Sequence, residues 1–77
     1  MSRIPIVNFK TMEKALLFLG FHPVRQKGSH VFYRHPDGRT TTSVNHPGRD
    51  LSRFLIREIL REIEITPEKF IEILKKI

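Results

Sequence analysis

The chain has 77 residues, with 14 Lys and Arg against eight Asp and Glu, a net charge of +6, and no Cys or Trp. That length holds one domain around one small core, and the lack of cysteine excludes disulfide scaffolds, thiolate zinc sites and cysteine nucleophiles. No apolar run approaches the roughly 18 residues of a membrane span and no signal-peptide core opens the chain, so a soluble, cytoplasmic protein without membrane contact is expected.

Residues 1–7 are expected as an extended lead-in, with Pro5 blocking helix. Asn8 then caps a first helix. Val7 and Met12 form its hydrophobic staple, Phe9, Met12, Leu16 and Leu19 its buried face, and Gly20 its left-handed end. Residues 21–26 predict a first strand, at an edge because Pro23 cannot donate to a ladder. Lys27, Gly28 and Ser29 form a turn, and His30 to His35 is the strongest strand. Pro36, Asp37 and Gly38 make a hairpin turn, followed by a β-branched third strand from Thr40 to Val44. Residues 45–50 are a polar loop. Asp50 or Ser52 caps a second helix whose stripe is Leu51, Leu55, Ile59 and Ile63, flanked by Phe54, Ile56 and Leu60. Thr66 and Pro67 open a third, with Ile65 and Phe70 as staple and Phe70, Ile73, Leu74 and Ile77 buried.

The order α-β-β-β-α-α is an α+β pattern. Its stripes are buried most economically by laying the helices on one face of a three-stranded antiparallel sheet, a two-layer sandwich. The covered face of the second strand is not readable. His30, Phe32 and Arg34 share one side, Val31, Tyr33 and His35 the other, and both are mixed. Phe32 is assigned to core packing, with base stacking as the alternative.

The basic excess suits nucleic acid, an acidic protein or an anionic surface. The densest chemistry lies in Arg25-Gln26-Lys27-Gly28-Ser29-His30. Cations neutralise phosphate, glycine lets a backbone approach it, and histidine moves protons near neutral pH. RNA cleavage without a metal needs those parts; an ordinary basic hairpin contains them too. His35-Pro36-Asp37-Gly38-Arg39 is chiefly turn chemistry, although Arg34 and Arg39 extend the basic surface. His46 and Arg49 belong to a loop that either caps the next helix or supplies a second proton-transfer group or phosphate contact. Arg53, Arg57 and Arg61 share one helix side, as a solvated face or a contact for RNA or a partner. His30 and His35, five apart on one strand, point to opposite faces, and no metal or cofactor is expected.

These residues also carry a resemblance. Leu19-Gly20-Phe21, Arg25 to His30, Tyr33 to Arg39, His46-Pro47-Gly48-Arg49-Asp50-Leu51 and Arg57 to Arg61, in this order from about Asn8 to Leu74, resemble the HicA (YcfA-like) toxin family. The resemblance implies a fold like a double-stranded-RNA-binding domain and an mRNA interferase that cuts without a metal. It implies His30 as the catalytic histidine and a HicB-like antitoxin that covers it. The chain departs from the family pattern at three places. Phe54 stands where many relatives carry a glycine or another small residue, Glu64 where a glycine commonly separates the last two helices, and Val44 where relatives often carry proline.

Overall fold

A computed structural model describes residues 3–77. The first two residues of the expected lead-in lie outside that range. The element order is α1 (Phe9–Phe18), β1 (His22–Lys27), β2 (His30–Arg34), β3 (Thr40–Val44), α2 (Arg53–Ile63) and α3 (Pro67–Leu74). The strands form one antiparallel sheet in the order β1-β2-β3. The α+β class and the α-β-β-β-α-α order are as the sequence predicts.

Local chemistry sets the helix limits. Thr11 N–H donates to Asn8 Oδ1 at 2.9 Å, Leu55 N–H to Ser52 Oγ at 3.1 Å and Lys69 N–H to Thr66 Oγ1 at 3.1 Å. Each bond satisfies an orphan donor of a helix start. Ser52, not Asp50, is therefore the cap of α2. At the end of α1, Phe21 N–H donates to Leu16 O and Gly20 N–H to Leu17 O, the paired bonds of a Schellman motif. Gly20 has φ +98°, and a Cβ there would meet His35 Nε2 at 3.0 Å, so glycine answers both strain and space.

The helix layer covers one side of the sheet. Val31 and Tyr33 of β2 and Thr41 and Ser43 of β3 are buried, whereas His30, Arg34 and Thr40 are exposed. Met12, Leu16, Phe21, Tyr33, Ile56, Ile59, Ile63, Phe70 and Ile73 are all but solvent-free and form the centre of the core. One buried-face assignment, Ile77, is corrected, and one residue expected to flank a stripe, Phe54, faces solvent. Phe54, in the first turn of α2, is 68% exposed, and Ile77, beyond the last turn of α3, is 39% exposed. The apolar stripe of each helix is shorter than its run of apolar residues.

Strand limits shift by one residue: Lys27 belongs to β1, and β2 stops at Arg34. All six β1 residues are exposed, because the helices rest on the other two strands. The lead-in is tied to the segment that opens α2. Leu51 N–H donates to Val7 O at 2.9 Å, Asn8 and Asp50 form a bridge, and Arg53 Nη1 donates to Ile4 O at 3.0 Å. No helix is long and apolar enough to cross a membrane among the described residues.

Candidate nucleic-acid interface

Antiparallel register places paired side chains on one side of a sheet. Three rows therefore share the face that the helices leave open. The first is Lys27, His30 and Val44; the second Arg25, Phe32 and Thr42; the third His22, Arg34 and Thr40. None of these residues is acidic. The face is basic for a reason visible along the chain. Residues 14–49 hold six Lys or Arg, all four His and a single acid, Asp37, whereas residues 50–77 hold six of each sign.

Gly28 and Ser29 join β1 to β2 as a two-residue hairpin. Gly28 carries φ +59° and nothing crowds its Cβ position, so conformation alone selects glycine there. The Gln26 side-chain amide donates to Gly28 O at 3.0 Å and braces the turn. His30 follows at once, exposed, with Lys27 as its register partner at about 5 Å between Cα atoms. Asn45 N–H donates to Ser29 O at 2.7 Å, which brings the start of the 45–50 loop beside the turn. His46 and Arg49 are exposed in that loop, where a shallow cleft runs to Asn8 and Lys10 at the start of α1.

Phe32 is not in the core. It lies half-buried on the open face, with the Arg25 guanidinium 4.7 Å from its ring centroid. A groove lined by Val24, Arg25, Phe32, Arg34, Thr40 and Thr42 crosses this surface. The assignment of Phe32 to core packing fails because β2 is covered from its other side.

The structure thus gathers Arg25, Lys27, Gly28, Ser29, His30 and Arg34 on one face or its turn, with His46 and Arg49 in the adjoining loop. Arg39 is elsewhere. It follows the β2–β3 turn, at the opposite end of β2 from His30. Its Nε donates to Asp37 Oδ2 at 2.8 Å, its Nη1 donates to Ile63 O, and its guanidinium sits 5.1 Å from the Phe21 ring centroid. These bonds tie the hairpin to the end of α2. The Arg39 backbone and side chain hold the Asp37 carboxyl below its usual range.

His22 was not singled out by its sequence position. Strict alternation from Lys27 would turn it away from the open face. A register shift between Pro23 and Arg25 inserts one residue and pairs His22 with Arg34. Pro23 signals an edge strand but not the position of a bulge. Arg53, Arg57 and Arg61 do not form one free stripe, since Arg53 holds Ile4 and Arg61 bonds Glu58 Oε1 at 2.5 Å. Among the described residues no group of three or more His, Asp or Glu is arranged to hold a metal ion.

A family model described as the HicA toxin of bacterial toxin-antitoxin systems matches residues 9–65. No curated protein matches the chain.

Proposed function

The chain belongs to the HicA toxin family of toxin–antitoxin systems, and from that premise we propose that it is an endoribonuclease that cleaves mRNA with His30 as its proton-transfer residue. The observation that carries this reading is the position of His30. It is exposed at the start of β2, paired with Lys27 and preceded by a glycine turn, on a face without carboxylates.

In the reaction a base takes the 2′-hydroxyl proton and the 2′ oxygen attacks the adjacent phosphorus. The bond to the 5′ oxygen breaks as that oxygen gains a proton, leaving a 2′,3′-cyclic phosphate. His30 performs one of the two proton transfers. Lys27 and Arg25 stabilise the charge on the pentacoordinate phosphorus, and Gly28 and Ser29 let the phosphate come close. Arg34, His46 and Arg49 extend the phosphate path. Arg39 would have to give up its tether to Ile63 to join them. No metal or other cofactor is invoked. The cellular partner is proposed to be a HicB-like antitoxin that covers His30, and the site of action the cytoplasm, where mRNA is.

The test is cleavage of a long unstructured mRNA in EDTA, with fragment ends read for cyclic phosphate. Wild type is expected to cleave, and His30→Ala to lose at least about 10²-fold in rate with RNA affinity little changed. Equal cleavage by both proteins sinks the role of His30. A basic face without acids also suits a non-catalytic RNA-binding module. Binding without cleavage by either protein would select that second reading.

A further inference from the structure

We infer that the Arg25–Phe32 pair is a stacking platform for an unpaired base, so that the RNA is held as a single strand beside His30. The inference deepens the proposed function, and it rests on the open face being an RNA surface rather than on cleavage. Three observations carry it. Phe32 sits on the uncovered side of the sheet, where it contributes little to the core. A planar guanidinium already lies over it at 4.7 Å. His30 is two residues away on the same face, about 7 Å along the strand.

An aromatic ring and an arginine plane together form a surface on which any base stacks, while the guanidinium edges keep donors for phosphate. Lysine in place of Arg25 would supply charge without a plane. A base within a duplex has both faces covered by its neighbours and cannot reach the platform without unstacking. The groove past Arg25, Phe32 and Arg34 offers cations on either side of the ring and no carboxylate to repel the backbone. A base held over Phe32 therefore belongs to a nucleotide at or next to the phosphate that meets His30.

The test uses strands that cannot be cleaved. A 2′-O-methyl oligoadenylate of about ten nucleotides is compared with an abasic strand of equal length, and with the same oligoadenylate in a 2′-O-methyl duplex. Affinities are read by fluorescence anisotropy at one salt concentration. Wild type should bind the base-bearing single strand at least about tenfold tighter than either competitor. Phe32→Leu and Arg25→Lys should each bring that preference to within about twofold. Circular dichroism checks that Phe32→Leu is folded, and Arg25→Lys, at an exposed position, provides the second arm.

Equal binding of base-bearing and abasic strands by wild type overturns the inference, as does a full preference kept by both variants. Since no bond is cut, a result against stacking leaves the ribonuclease reading standing. Normal cleavage by His30→Ala would leave the platform standing. Failure to bind any strand overturns both.

Discussion

The Tyr33 hydroxyl donates to Glu13 Oε2 at 2.6 Å from a ring with no solvent exposure. Burial, then that hydrogen bond, then the Glu13 charge push its ionisation far above the ordinary value near 10. The folded form keeps its proton at a pH where the unfolded chain has lost it. Stability from this group is therefore complete below about pH 10 and is lost as pH rises beyond it. Tyr33→Phe leaves the Glu13 carboxylate without its donor, so thermal unfolding at pH 7 should show a loss of about 2 kcal/mol. The gap between the two proteins should narrow above about pH 10. A gap of constant size across pH 8–11 (roughly the window around the tyrosine value) would refute the assigned cause. Thr41 is satisfied in the same way by Glu62 Oε1 at 2.7 Å, whereas Ser43 Oγ is buried without a partner among the described residues. None of this inward set was legible in advance. The two faces of β2 carry equally mixed side chains, and only the helix layer decides that Tyr33 turns in and Phe32 out.

Helix ends were legible because they are local. Asn8, Ser52, Thr66 and Gly20 each act within a few residues of themselves, so composition at one position announces the geometry. The close of α2 is an exception with a cost. Glu64 adopts φ 61° and ψ 45°, the left-handed region, and is the only non-glycine residue with positive φ among those described. The bond from Ile65 N–H to Leu60 O at 3.0 Å needs that turn to reverse the chain into α3. A side chain there costs about 1 kcal/mol, which is why a glycine at this place suits the geometry. Glu64→Gly should raise the melting temperature by roughly 4–8 °C for each kcal/mol regained, and Glu64→Ala should not. A Glu64→Gly protein that melts at or below wild type would show that Glu64 makes a compensating contact. The β1 bulge was not legible by the same reasoning. A register shift is a relation between two strands, and Pro23 specifies only that its own strand stands at an edge.

Across the whole molecule the two layers differ in charge, and that difference decides how RNA affinity should depend on salt. The helical half from residue 50 onward is balanced, so a polyanion gains no net attraction there, while the excess resides between residues 14 and 49. Counting Arg25, Lys27, Arg34 and Arg49 as phosphate contacts gives a slope of log affinity against log salt of about −3, from about −0.7 per contact on a single strand. Arg34→Gln removes one contact and should make the slope shallower by about 0.7. Arg57→Gln, an equal change of charge on the exposed side of α2, should leave the slope as it was. Both proteins have the same net charge, so a general field effect predicts equal shifts, and only contact on the open face predicts unequal ones. A shallower slope for Arg57→Gln with none for Arg34→Gln would move the RNA to the helices. It would also separate the RNA from His30, because the open face that carries His30 is the side of the sheet away from α2.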